Sequence, residues 1–190
     1  MAPIKKTVPT LDFLMFSTPE QKVLRLMLSE STTIFTLRTI ASKLKGVRGL
    51  GGQEGLLKIL NQLNEMGFVD FVDNQRAVRL HDDTSVVYLL KRLVAICDLE
   101  SLIKLLEPHA SRCILFGSRA SGRARTDSDY DLFVVTEHAD RVREIAGSYP
   151  LGKVIEILAM NPSDFANVEV KDTKLALKLA AGIVLLGSNW

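Results

Sequence analysis

Two short apolar runs, CILF at 113–116 and DLFVV at 131–135, enclose a stretch of mostly small and charged residues, GSRASGRARTDSDY. Each run has the length and composition of a buried strand. A chain that joins two such strands in this way must set the polar residues at the mouth of a sheet. Side chains alternate along a strand, so Asp129 and Asp131 point to one face and Tyr130 to the other. Two carboxylates about 7 Å apart or less raise each other's pKa and cost free energy when nothing offsets them. A divalent cation offsets that cost, and hard carboxylate oxygens suit Mg²⁺, which keeps waters and completes its shell with substrate phosphates. The same residues are also good turn chemistry, and Asp127 is assigned to the turn. Gly117 lets the backbone turn tightly after the first strand. Ser118 then stands at the start of a short helix, where it can hold a phosphate or simply cap the helix.

Composition narrows the class. Apolar residues are 47% and charged residues 24% of the 190, which describes an ordinary globular protein of one or two domains. A net charge of +2 implies neither a nucleic acid nor a membrane partner. Cys97 and Cys113 sit in apolar runs and read as buried free thiols, which suggests a reducing, cytoplasmic setting. The longest apolar stretch, Val86–Ile96, is broken by Lys91 and Arg92, whereas a membrane span needs about 20 apolar residues. The N-terminus has no cleavage-site pattern and is not read as a signal peptide; loose order is expected up to about Ser17.

Along the chain, Thr18, Pro19 and Gln21 open a first helix with a capping box. A second helix, TLRTIASKLKG, is expected to end at Gly46, and a third, QEGLLKILNQLNEMG, at Gly67. Two strands, FVDFV and RAVRL, follow. Three helices and a hairpin in this order resemble a winged helix-turn-helix domain, over residues 17–83. Residues 84–107 read as a linking or dimerisation helix, either continuous or broken at Asp98. Its apolar face of Val86, Leu89, Leu90, Leu93 and Ile96 suits packing between domains or a homodimer seam. From residue 98 to 190 strands alternate with helices, ending in a helix over about 162–181 and a GIVLLG edge strand.

Gly-Ser, a ten-residue spacer and Asp-x-Asp running into an apolar strand are similar to the signature of the minimal nucleotidyltransferases of the DNA polymerase β superfamily. The likeness extends to Gly122 and Ser128. It implies a two-domain chain of α+β and α/β character: a winged helix, a linking helix, and a nucleotidyltransferase fold whose small mixed sheet is flanked by helices. The superfamily uses a third carboxylate on a neighbouring strand. Glu156, the only acid in GKVIEILAM, shares a face with Val154 and Leu158 and matches that position, where the family more often has Asp. A lone carboxylate in a buried strand needs such a reason. The resemblance further implies that Asp129, Asp131 and Glu156 hold two Mg²⁺ ions, and that Gly117 and Ser118 grip the phosphates of an NTP. Arg119, ahead of Arg123 and Arg125, adds charge there or belongs to a solvated basic loop. The reaction implied moves a nucleoside monophosphate to a hydroxyl on a protein, RNA or small molecule.

Relatives with this motif include antitoxins that nucleotidylate a HEPN-type toxin, so a protein acceptor of that kind is one partner implied. DNA is the other. Lys43, Lys45, Arg48, Lys58 and Arg76 are the candidate DNA contacts, although Glu54 and Glu65 weaken the electrostatic footprint of the third helix. Two functions therefore compete. One is a Mg²⁺-dependent nucleotidyltransferase using an NTP such as ATP. The other is a DNA-binding regulator whose nucleotidyltransferase-like domain senses nucleotide without catalysis.

Overall fold

The computed structural model describes residues 9–151 and 155–188. Thr10 caps a first short helix, α1 (Leu11–Met15), by accepting from the Phe13 N–H. This stretch is not loose: the Leu11 N–H donates to Glu100 Oε2 at 2.8 Å, and Asp12 pairs with Arg25. The Thr18–Gln21 capping box opens α2 (Pro19–Ser29) as the sequence implies. A two-residue strand, β1 (Phe35–Thr36), precedes α3 (Leu37–Lys43), which stops short of Gly46. Next come α4 (Gly52–Glu65), β2 (Val69–Val72) and β3 (Ala77–Leu80). The three strands form an antiparallel sheet in the order β1-β3-β2, and β1 was too short to read from sequence. Val23, Met27, Phe35, Ile40, Leu56, Leu60 and Val78 close a core between helices and sheet.

α5 (Ser85–Leu106) runs unbroken through Asp98 and ends in a 3-10 turn at Glu107–His109, where Pro108 forbids continuation. Its stretch up to Cys97 packs Val87, Val94 and Cys97 into the first core. Its second half gives Leu99, Leu102 and Leu106 to a second core. Val86 and Leu89 of the expected apolar face remain exposed.

The second core surrounds a mixed sheet. Its elements are β4 (Arg112–Phe116), α6 (Gly117–Ser121), β5 (Tyr130–Val135), α7 (Ala139–Gly147), β6 (Ile155–Met160), α8 (Pro162–Phe165), α9 (Val168–Lys171), α10 (Thr173–Ala180) and β7 (Ile183–Leu186). The strand order is β6-β5-β4-β7, with β5 and β6 parallel and β4 antiparallel to both its neighbours. Tyr130, Leu132 and Val134 face α5 and α7. Phe133 and Val135 face the opposite way, against Leu179 and Phe165.

Two expectations change here. The single helix foreseen over 162–181 is three short ones: Asn161 caps the first, and Asp172 caps a fresh start for the last. β6 is an edge strand, not a buried one, and Glu156 and Leu158 lie on an exposed face. Val154, expected beside them, lies outside the described residues. Cys97 and Cys113 are buried free thiols, and burial pushes them up to about 11 and about 12. Among the described residues no helix is long and apolar enough to cross a membrane.

Candidate active site

The turn out of β4 is set by the carboxylate it must pass. Phe116, the last residue of β4, pairs with Asp131 of β5, so Gly117 falls directly beside the Asp131 side chain. A Cβ on Gly117 would land on Asp131 Oδ2, and the residue has φ +71°, the left-handed region. Only glycine meets both demands at once. Ser118 is the second residue of α6, two past the cap position, which is Phe116. The helix-capping role open to Ser118 in sequence is therefore not the one it plays. Among the described residues its hydroxyl makes no hydrogen bond.

On the other side of β5, Asp131 is directly opposite Glu156 in the parallel register. Paired residues on neighbouring strands share a face, and the strands lie about 4.8 Å apart. Asp129 stands two residues before Asp131, at the entry to the same strand. The Asp131 pKa is raised, first by burial and then by the charges of Glu156 and Asp129; Lys178 on α10 and Arg119 oppose the rise. The charges of the other two acids thus both act on Asp131. Among the described residues none of the three forms a salt bridge.

Arg119 does not extend toward solvent. Its side chain is buried, with Nε donating to the Asp129 carbonyl at 3.2 Å and Nη2 to the Ser128 carbonyl at 2.6 Å. The guanidinium stacks 4.0 Å from the centre of the Tyr130 ring. It braces the acidic loop from beneath rather than reaching across it. The loop has a second brace, because Ser128 Oγ accepts from the Arg125 N–H at 2.8 Å and its own N–H donates back to the Arg125 carbonyl at 3.1 Å. Asp127 sits exposed at that turn, and Arg123 and Arg125 are exposed as well.

The donor set fits a hard divalent cation: carboxylate oxygens alone, none of them in a salt bridge among the described residues, with a repulsion that Lys178 and Arg119 offset only in part. Among the described residues no group of three or more such side chains is arranged to hold a metal ion as it stands. Mg²⁺ draws much of its shell from water and substrate phosphate. Asp129, Asp131 and Glu156 are the side chains that could contribute oxygens to such an ion.

The candidate DNA contacts are all on the N-terminal elements. Lys43 ends α3 and pairs with Glu30 at 2.9 Å. Lys45 and Arg48 lie in the α3–α4 connection, Lys58 on α4 and Arg76 in the β2–β3 turn, all exposed.

Several residues around the site were not singled out in the sequence. Asp98, Arg25 and Lys91 join elements that are far apart in the chain, with partners up to 73 residues away. In the sequence Lys91 and Asp98 show only as charges interrupting an apolar helix, and Arg25 carries no local signal.

Residues 100–189 match the family described as polymerase beta, nucleotidyltransferase. The matched segment contains the end of α5 and the whole mixed sheet with its acids. A nucleotidyltransferase-type function for the C-terminal part follows at that level. No match was found among curated proteins, and none among solved structures.

Proposed function

We propose that this chain is a Mg²⁺-dependent nucleotidyltransferase that moves a nucleoside monophosphate from an NTP to a hydroxyl group. The observation that carries the reading is the register that sets Asp131 opposite Glu156, two residues after Asp129, within a segment that matches nucleotidyltransferases; the raised Asp131 pKa agrees with it. Divalent ions, when bound, lower the pKa of the acceptor hydroxyl and stabilise charge on the leaving phosphates. The residues of the chain supply the rest. Asp129, Asp131 and Glu156 fix the ions on one face of the sheet. Gly117 leaves the room that lets the Asp131 carboxylate lie against α6. Ser118 presents a free hydroxyl and backbone N–H to the phosphates. Arg119 holds the carbonyls of 128 and 129, and so sets the direction of Asp129. The acceptor oxygen attacks the α-phosphorus in line and loses its proton; the α–β phosphoanhydride bond breaks and pyrophosphate leaves.

A second reading rests on the N-terminal elements. Three helices and a β1-β3-β2 sheet support a winged helix, and the exposed Gln53, Lys58, Asn61 and Gln62 of α4 support DNA contact. In that reading the acids sense nucleotide without catalysis.

The test uses each of the four NTPs labelled at the α-phosphate, with Mg²⁺ and a cell extract as the source of acceptor. Label should appear on an acceptor with wild type and vanish in Asp129→Asn and Asp131→Asn. Labelling equal in the variants, or absent with every nucleotide, overturns the enzymatic reading. Nucleotide binding without transfer, together with a salt-dependent gel shift lost in Lys58→Ala, favours the regulator.

A further inference from the structure

Tyr130 lies between the two acids, yet the proposed chemistry does not use it. Its side chain is buried on the opposite face of the sheet, and its hydroxyl donates to Asp98 Oδ2 on α5. The other oxygen of Asp98 accepts from Arg25 Nη2 of α2 at 2.6 Å. Arg25 in turn pairs with Asp12 of α1 and donates to Ser29 Oγ at 2.7 Å. The Asp98 carbonyl accepts from the Tyr149 hydroxyl at 3.0 Å, beyond the end of α7. Packing alone would hold a phenylalanine at position 130. The hydroxyl is there with a carboxylate to receive it, and that carboxylate is tied to the N-terminal helices.

The loop before the acids is held from the same side. Ser31 Oγ donates to the Ala124 carbonyl at 3.3 Å, and Thr32 bonds the Thr126 hydroxyl at 2.8 Å. Buried Lys91 donates to Ser31 Oγ at 3.1 Å and to Asp82 at 2.7 Å. The segment 124–131 is thus gripped at both ends by groups that belong to, or pair with, the N-terminal elements.

We infer that Asp98 is a positioning residue for Asp129 and Asp131, acting through the Tyr130 hydroxyl, and that Arg25 makes the placing of the acid pair depend on the N-terminal helices. The inference rests on the proposed role of Asp129 and Asp131 as metal ligands. Ligands must be held within about 0.5 Å of their working geometry, and a strand entry pinned at its middle residue meets that demand. An event that moves α2 against α5 then reaches the acids through three side chains.

The test measures Mn²⁺ binding to the full chain by electron paramagnetic resonance, beside the Mg²⁺ dependence of transfer. Tyr130→Phe removes one oxygen and keeps the packing. It should weaken Mn²⁺ binding about tenfold, the lower end of what supporting partners of metal ligands contribute. Asp98→Asn should act in the same direction, and Arg25→Met combined with Tyr130→Phe should be less than additive. A merely structural role would lower the unfolding temperature and leave Mn²⁺ binding by the folded protein unchanged, and that result overturns the inference. If Asp98→Asn does not fold, Tyr130→Phe decides alone. Asp131→Asn separates the two levels. Wild-type Mn²⁺ binding that is insensitive to it sinks the proposed function and the inference together. Binding lost in Asp131→Asn but intact in Tyr130→Phe sinks only the inference.

Discussion

At Asp131 burial, Glu156 and Asp129 all disfavour the ionised carboxylate, in that order of importance. A carboxyl whose folded pKa is raised contributes stability that is present below its ordinary value, near 3.8, and lost as pH rises through the folded value. Asp131→Asn removes that dependence. In metal-free buffer the variant should gain on wild type as pH rises from below 4 through the raised value, and should be the more stable protein at neutral pH. Adding Mg²⁺ should raise the unfolding temperature of wild type and leave the variant where it was. Transfer should fall on the order of a thousandfold, since a lost metal ligand removes several kcal/mol of transition-state stabilisation. Unfolding curves across pH, with and without Mg²⁺, check the first two points. An Asn variant that is less stable at neutral pH without metal would contradict the reading of this carboxylate as a cost carried for function.

The elements around α6 show what could be read in advance and what could not. Gly-Ser after one apolar run and Asp-x-Asp before the next place a turn, a short helix and a strand mouth, because glycine punctuation and period-two alternation are local signals. Glu156 was found the same way, as the one acid in an apolar run. Its register opposite Asp131 and its exposure on an edge strand are long-range facts that no local pattern holds. Arg119 shows the same limit: a neighbour of Ser118 in sequence, it turns under the loop to reach carbonyls 9 and 10 residues on. Gly117 and Gly122 bound α6, both with positive φ, and they separate packing from site geometry. A Cβ at Gly122 would strike the Tyr88 carbonyl on α5, and helix backbone cannot step aside. At Gly117 it would strike a side chain that can rotate. Gly122→Ala should therefore destabilise the fold by about 2–5 kcal/mol. Gly117→Ala should cost only about 1–2 kcal/mol for its left-handed backbone, yet abolish transfer by displacing Asp131. Urea unfolding and transfer assays on both variants check the contrast. A Gly117→Ala enzyme with full activity would show that the carboxylate does not work from the position it occupies.

Across the whole molecule, α5 is the element that neither half can release. Val87, Val94 and Cys97 are part of the first core, and Leu99, Leu102 and Leu106 line the second, all on one continuous helix. The ion pair of Arg25 with Asp98 and the bonds of Ser31 to Ala124 and of Thr32 to Thr126 cross the same boundary. Melting either half would strip one face of α5 and expose the apolar side of the other. The chain should therefore unfold in a single cooperative step despite having two cores. Leu60→Ala in the first core and Leu102→Ala in the second, both fully buried, should each cost about 2–5 kcal/mol. Each should shift the midpoint of that one transition when helix content and Tyr130 environment are followed together by far- and near-ultraviolet circular dichroism. A fragment that begins after α5, at residue 108, should not fold, because it lacks the three leucines that form one wall of its core. Two separate transitions, with Leu60→Ala moving one and Leu102→Ala the other, would show that α5 joins two independent units. The path from the N-terminal helices to the acid pair would then lose its rigid carrier.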